Sequence, residues 1–343
     1  MTDRASDFRP GESLDTQKLG FFLRPYCNLV SVKQFPSGFS NLTYLLICDE
    51  GEYVLRRPPF GANIKSAHDM GREYRVINDL HQLGAKVPAP LVYCEDEQVL
   101  GAPFYVMERV KGVILRNRVP NGVTVPFDPL SRSFVATLSD LHKLDMSQTA
   151  LMAQSHPQGY VKRQIDGWTK RYRKAQTDEI RTLDTVIEWL AEDPPNESSI
   201  SLIHNDFKYD NLVLSPTDLS EVRAVLDWEM ATIGCPLMDL GTSLGYWAEE
   251  HDPPALKHYG LTWVQGNMTR RELVDAYQLE SGREVKNPVF YLAYGLFKVA
   301  VIAQQIYARF KAGHTSDPRF GQLIHVIHAC GELAVRAMDR QKI

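Results

Sequence analysis

Cysteine is scarce in this 343-residue chain, and the five present (Cys27, Cys48, Cys94, Cys235 and Cys330) are scattered, with no C-x-x-C pair. Neither a zinc ribbon nor a disulfide framework is implied, which suits a reducing cytoplasm. Charge of one sign is also missing. The 38 Lys and Arg stand against 42 Asp and Glu, a formal net charge of -4, and no basic run is long enough to track phosphates along a duplex. Nucleic acid is therefore not an expected partner. The start, MTDRASDFRPGES, lacks the apolar stretch of a signal peptide and reads as a loose arm over residues 1–17. Uninterrupted hydrophobic runs are lacking too. Val289 to Phe310 is broken by Lys298, Gln304, Gln305 and Arg309, so a buried helix is expected there and no membrane anchor.

What is present is enough apolar residue, 44% of the chain, for a substantial core in two domains or one two-lobed unit. The first third has strand texture. Leu42 to Cys48 and Glu52 to Arg57, separated by Asp49-Glu50-Gly51, read as a hairpin ended by Pro58-Pro59. "SAHDMGREYRVINDLHQLG" follows as an amphipathic helix: Ser66 with Asp69 forms a capping box, Met70, Tyr74 and Ile77 share a face, and Gly84 stops it. Glu73 falls on that apolar face, where a carboxylate is costly without a cation from the neighbouring sheet. Strands in "APLVYCE" and "APFYVMERV" come next. From Gly112 onward, Leu130, Phe134, Leu138, Leu141 and Leu144 recur at helical steps. A boundary between a β-rich part, 18–110, and a helical part, 111–343, is expected near Glu108 to Gly112.

The stretch "SLIHNDFKYDNLVLS" sets a charged knot between two apolar flanks. A surface turn would explain the Asn and Asp residues. However, His204, Asp206 and Asn211 form H-x-D-x-x-x-x-N, Lys208 adds D-x-K within it, and "AVLDWEMA" then presents Asp227 and Glu229 after an apolar run. With Glu73 upstream, coincidence becomes a poor account of this set of acids.

"HNDFKYDN" and "LDWEMATIGCPLMDLG" resemble the aminoglycoside phosphotransferase and choline kinase-like family of the protein-kinase-like fold. The kinase-like domains fused to some acyl-CoA dehydrogenases are the nearest likeness. The resemblance implies an α+β two-lobed fold, with an antiparallel N-lobe sheet carrying one helix and a mostly helical C-lobe. It also implies ATP, or GTP in its place, with Mg2+ and a small-molecule hydroxyl acceptor. On it, Asp206 is the catalytic-loop acid that takes or orients the proton of the attacking hydroxyl. Asn211 and Asp227 match magnesium ligands, and hard cations do take oxygen donors. Glu229 touches a second ion or faces solvent. Lys208 stands against the γ-phosphate or is a solvated loop lysine, His204 braces the loop, and Asp239 begins a helix and ties the loop down.

In the N-lobe the resemblance places Ser37, Gly38 and Asn41 in a hairpin over the phosphates. Only one Gly is present there, and no G-x-G-x-x-G. Strand alternation puts Val54 and Arg56 on one face of their strand. By alignment Arg56 takes the place of the phosphate-binding lysine and pairs with Glu73; otherwise Arg56 and Arg57 are two exposed edge arginines. "VMERV" matches the hinge, with Glu108 and Val110 offering backbone groups to adenine.

Two departures point away from protein kinases. Asn205 stands where H-R-D has Arg, and no A-P-E follows Asp227. Two further classes would use the same residues differently: a pseudokinase serving as a nucleotide-binding interaction module, and a metal hydrolase built on His204 and Asp206. For the acceptor, "GYVKRQIDGWTKRYRKAQT" carries Lys162, Arg163, Lys170, Arg171, Arg173 and Lys174. A cleft bordered by this helix would favour an anionic, hydroxyacyl-CoA-like acceptor over a cationic antibiotic, although a basic face is often merely solvated. Trp168, Tyr172, Tyr246 and Trp247 line an apolar cleft or belong to the core.

Overall fold

The computed structural model describes residues 5–36, 41–61, 69–119, 122–196, 199–315 and 317–343. In chain order the longer elements begin with α1 (Thr16–Leu23), β1 (Leu29–Gln34), β2 (Leu42–Cys48), β3 (Gly51–Arg57), α2 (Met70–Gln82), β4 (Pro90–Cys94) and β5 (Phe104–Glu108). Next come α3 (Phe127–Lys143), α4 (Tyr160–Ala175) and α5 (Arg181–Glu192), then the short strands β6 (Ser201–Ile203), β7 (Leu212–Leu214), β8 (Val222–Val225) and β9 (Thr232–Gly234). Helices α6 (Pro236–Tyr246), α7 (Arg270–Ser281), α8 (Pro288–Lys311) and α9 (Leu323–Arg340) close the series.

Two compact units divide the chain. The first takes residues 1–114, 148–153 and 212–231, and the second 115–147, 154–211 and 232–343. In the first, an antiparallel sheet runs β1-β2-β3-β5-β4. The β2–β3 hairpin closes tightly, with Cys48 paired to Gly51 across Asp49-Glu50. On one face of the sheet, Leu42, Tyr44, Leu46 and Leu55 form a core with Leu19 and Leu23 of α1. On the other face lies α2, capped by the Asp69 carboxylate, which accepts from Arg72 N–H, and followed by Gly84 in the left-handed region. Ser66, expected to share that cap, lies outside the described residues. The hairpin of β7 and β8 belongs to this unit because Val113 bridges to Leu214 and Val225 N–H donates to the Lys86 carbonyl. A division placed at residue 110 therefore leaves out a segment that pairs with the first unit.

Among the described residues, the expected loose arm is tied to the sheet. Ser6 bridges to Gln34, Arg9 N–H donates to Gln34 Oε1, and the Tyr44 hydroxyl donates to the Glu12 carbonyl. Leu14 is buried in the α1 core. The segment's polar composition suggested solvation, but its backbone pairs and this single leucine tie it to the sheet edge.

The second unit is helical apart from the β6–β9 pair. Helix α8 is the one described helix long and apolar enough to cross a membrane, and 78% of its most apolar window is buried in the structure. It packs against α6 and α9, with α4 and α5 also in contact. The α6–α8 crossing is close because it is made by glycines. A methyl group on Gly295 would overlap the Gly241 carbonyl, and one on Gly245 would overlap the Gly295 backbone. Backbones can approach so closely only where side chains are missing. Gly295→Ala is therefore expected to lower unfolding free energy by at least about 1–3 kcal/mol, the usual cost of overpacking, as read from a denaturant melt.

Candidate active site

In the first unit a cluster of charge forms around Arg56. Strand β3 is interior to the sheet, with Arg56 paired to Thr43 of β2 and Tyr105 of β5. The reading of two exposed edge arginines is therefore overturned: the Arg56 side chain is 11% exposed, and Arg57 is buried on the opposite face, stacked 3.7 Å from the Phe60 ring. Arg56 Nη1 lies 2.5 Å from Glu73 Oε1, so the cation that Glu73 requires does come from the sheet. Its Nη2 lies 3.1 Å from Asp227 Oδ1 and 3.8 Å from Glu229 Oε2. Burial alone would pull the guanidinium's pKa down, but these three carboxylates hold it well above its ordinary value. Burial raises Glu73 above the usual carboxylate range, against the pull of Arg56.

Asp227 follows β8 in the left-handed region, φ 68°, and leads into one 3-10 turn, Trp228–Met230. Asn41 Nδ2 donates to Glu229 Oε2 at 2.9 Å, so Glu229 joins the cluster and is not simply solvated. Arg72, next to Glu73 on α2, donates to the main-chain oxygens of Glu229 and Ala231 and so holds this turn. No pattern in the sequence marks it, because its partners are backbone atoms 157 and 159 residues away.

Of the other first-unit residues, Val54 is buried on the Arg56 face of β3. Glu108 ends β5, where its N–H donates to the Ala89 carbonyl, and Val110 follows two residues later, half-buried. Ser37 and Gly38 lie outside the described residues.

In the second unit the knot at His204–Asn211 is a loop whose backbone is held almost atom by atom. Asp239, in the first turn of α6, accepts from His204 N–H at 2.7 Å through Oδ2 and from Asn205 N–H at 2.6 Å through Oδ1. His204 Nδ1 accepts from Asp206 N–H at 3.2 Å. Three successive carbonyls are then capped: Asn205 by Lys298 Nζ at 2.6 Å, Asp206 by Asn211 Nδ2 at 2.8 Å, and Phe207 by the Ser243 hydroxyl at 2.9 Å. A buried non-helical segment needs this accounting, since an unpaired backbone group costs about as much as a lost hydrogen bond.

The side chains aim within this frame. Lys208 Nζ lies 2.9 Å from Asp206 Oδ2 and 4.7 Å from the Tyr246 ring centroid. Burial would lower the pKa of Lys208, but Asp206 raises it well above the ordinary lysine value, so the pair is held together as ammonium and carboxylate. Asn211 Nδ2 also reaches Asp206 Oδ2 at 3.1 Å. Trp168, Tyr172 and Trp247 are core residues, while Tyr246 is half-buried beside Asp206 and Lys208.

The family model of the APH "Phosphotransferase enzyme family" matches residues 31–274. The chain belongs to this phosphotransferase family. Human "Acyl-CoA dehydrogenase family member 11" is 32% identical over 96% of the chain, which spans only 44% of that protein's length. A Ralstonia eutropha structure described as a candidate aminoglycoside phosphotransferase superposes with TM-score 0.77 at 29% identity, covering 94% of this chain and 99% of that one. The streptomycin–ATP–APH(2")-IIa ternary complex shares the fold alone, with TM-score 0.57 at 17% identity over 85% and 90% of the two chains. The fold is thus α+β and protein-kinase-like, as the sequence motifs implied.

Two further residues of the loop network carry no motif. His142 of α3 places Nε2 3.2 Å from Asp239 Oδ2 and Nδ1 2.7 Å from the Tyr277 hydroxyl. Burial lowers its pKa against the pull of Asp239, so a neutral ring that donates through Nε2 and accepts from Tyr277 fits both contacts. Lys298 stands out in the sequence only as an interruption of an apolar run. Burial would raise Asp239, but the His142 and His204 donors hold its pKa below the usual carboxylate range.

Asp239→Asn replaces one oxygen, such as the Oδ2 that accepts from His204 N–H and His142, and should therefore lower stability by roughly 3–6 kcal/mol, at about 1.5–3 kcal/mol for each of these two hydrogen bonds to a charged group. A group whose folded pKa is depressed stabilises above its unfolded pKa, about 3.9, and loses that effect as pH falls through the folded value. The difference between wild type and variant in urea melts should be constant at neutral pH and shrink below about pH 4.

Proposed function

We propose that this protein is an ATP- and magnesium-dependent kinase that phosphorylates a hydroxyl of a small molecule. The observation that carries the reading is the geometry of Asp206: a carboxylate on a braced loop whose Oδ2 has the Lys208 ammonium at 2.9 Å and the Asn211 amide at 3.1 Å. In the proposed reaction Asp206 accepts the acceptor's hydroxyl proton as that oxygen bonds to the γ-phosphorus, and the bond from phosphorus to the ADP oxygen breaks. Lys208 offsets charge gathering on the transferred group. Arg56, held by Glu73, binds nucleotide phosphate, a task suited to a forked guanidinium. Asn41 and Val54 are assigned to the nucleotide site, and the backbones of Glu108 and Val110 to adenine.

Magnesium fits the donors present. Asn211 of the second unit and Asp227 of the first each carry an oxygen donor of the hard kind magnesium takes, and Glu229 is a third carboxylate in the Arg56 cluster. Among the described residues no group of three or more His, Cys, Asp and Glu could hold a metal. A cation that keeps several waters and takes phosphate oxygens needs only one or two carboxylates. Bound magnesium would supply neutralisation of the phosphate charge. The ATP seen in the APH(2")-IIa complex supports the choice of nucleotide. Five buried free cysteines suit a reducing compartment such as the cytoplasm.

For the acceptor we favour an anionic, hydroxyacyl-CoA-like compound. Lys162, Arg163, Lys170, Arg171, Arg173 and Lys174 are all exposed on α4. Lys162 pairs with Asp166, Arg173 with Asp184, and Arg171 stacks on Trp168, so part of this charge is locally compensated. The relatedness to acyl-CoA dehydrogenase family members supports the same class.

Magnesium-ATP at about a hundred times its Kd should stabilise the protein by about 2.7 kcal/mol, seen as a rise in Tm. No shift at millimolar nucleotide with magnesium or manganese would sink the kinase reading. Asp206→Ala should keep that shift and lose about 10²- to 10⁴-fold in turnover. Assayed side by side, hydroxyacyl-CoA thioesters should be phosphorylated in preference to sugars and aminoglycosides; phosphorylation of the cationic compounds alone would reverse the acceptor assignment.

A further inference from the structure

Lys298 is a buried ion that the proposed reaction does not use. It lies in the middle of α8, 1% exposed, in a helix whose other inward residues are almost all apolar. Its Nζ donates to the Asn205 main-chain oxygen at 2.6 Å, with longer contacts to Asn205 Oδ1 at 3.4 Å and Thr242 Oγ1 at 3.3 Å. All three partners are neutral oxygens. The Trp168 ring centroid lies 5.5 Å away. An ammonium buried without a carboxylate in contact is costly, and replacing such a group by an apolar one is often neutral or favourable. Its presence needs a reason beyond packing.

Asn205 supplies one. It is a non-glycine residue in the left-handed region, φ 67°, and it immediately precedes Asp206. Such a conformation persists only where its surroundings over-determine it. Here three groups do so: Asp239 takes the N–H, the Tyr160 hydroxyl donates to the side-chain oxygen at 3.1 Å, and Lys298 takes the main-chain oxygen. The peptide oxygen that Lys298 binds belongs to the bond joining Asn205 to Asp206. Fixing it fixes the direction in which the Asp206 side chain leaves the loop.

We propose that Lys298 is a positioning residue, which through the Asn205 carbonyl holds the left-handed turn that aims Asp206. The consequence for catalysis rests on the kinase reading; the hold on the loop does not. Several groups face Lys298. Asp239 and Thr242 come from α6, Asn205, Asp206 and Lys208 from the loop, Arg171, Trp168 and Tyr160 from α4, and Tyr294 from its own helix. Burial lowers its pKa to about 8, with Asp239 and Asp206 favouring the ammonium and Lys208 and Arg171 opposing it. The strong, charged hold therefore weakens as pH rises through about 8.

The test compares wild type with Lys298→Met, which keeps length and loses the charge. Hydrogen–deuterium exchange should be faster in the variant across 201–211 and unchanged in α9. In a magnesium-ATP hydrolysis assay kcat should fall by about 10²-fold, the effect of a small misplacement at a reacting group, with KM for ATP unchanged. The wild-type rate should decline as pH rises through about 8, and the variant should lack that alkaline limb. Equal loop protection in the two proteins, a loss expressed only in KM, or the same alkaline limb in both would overturn the proposal. Should the variant not fold, the wild type alone decides: loop exchange, corrected for intrinsic rate, must rise above about pH 8, and a flat profile refutes the role. If wild type binds no nucleotide, the kinase reading falls while the exchange comparison still judges Lys298.

Discussion

The carboxylate of Asp239 is the constraint on which the second unit's site depends. Burying a charge is expensive, and Asp239 is 1% exposed. Three donors offset that cost, two of them backbone N–H groups of the loop and the third His142. Its place in the first turn of α6 adds the favourable end of a helix dipole. The loop thus gains rigidity with only one 3-10 turn, Tyr209–Asn211, of its own. Once His204 and Asn205 are fixed, Asp206, Lys208 and Asn211 follow in a frame whose remaining carbonyls are also taken up.

The first unit solves a related problem with opposite charge. Arg56 on an interior strand gathers Glu73 from α2 and two acids from the turn after β8. Each acid would be unfavourable there alone, and together they make the guanidinium's position unambiguous. Among the described residues three non-glycine residues have positive φ, and two of them are Asn205 and Asp227. Both sit at or beside a candidate catalytic or metal-binding residue and are held by charged neighbours. Backbone strain gathers where surroundings over-determine a conformation, and functional sites are such places.

Much of this is legible in the sequence. The β2–β3 hairpin, α2 with Glu73 facing the sheet, and the two apolar flanks of the His204–Asn211 knot all follow from local periodicity and turn residues. Other features are not. Residues 5–15 read as a loose arm because few of their side chains are apolar, yet backbone pairing orders them. Arg56 and Arg57 could also be read as solvated edge arginines, since a strand's place within its sheet is not a local property. His142, Arg72 and Lys298 escape a sequence reading because each acts on atoms distant in the chain, and in two cases those atoms are main-chain oxygens that carry no residue identity.

The amino-acid order by itself determined which residues could do chemistry: the spacing of His204, Asp206 and Asn211, the acids at Asp227 and Glu229, and the carboxylate at Glu73 in need of a cation. Such patterns are local, and local sterics and periodicity are written residue by residue. Tertiary structure alone decided which groups hold them still. Whether Lys298 is an accident in an apolar helix or the anchor of a carbonyl depends on glycines at 241, 245 and 295 bringing α6 and α8 together, and on a loop carbonyl 93 residues earlier in the chain. Long-range packing sets those distances, and no single segment contains them.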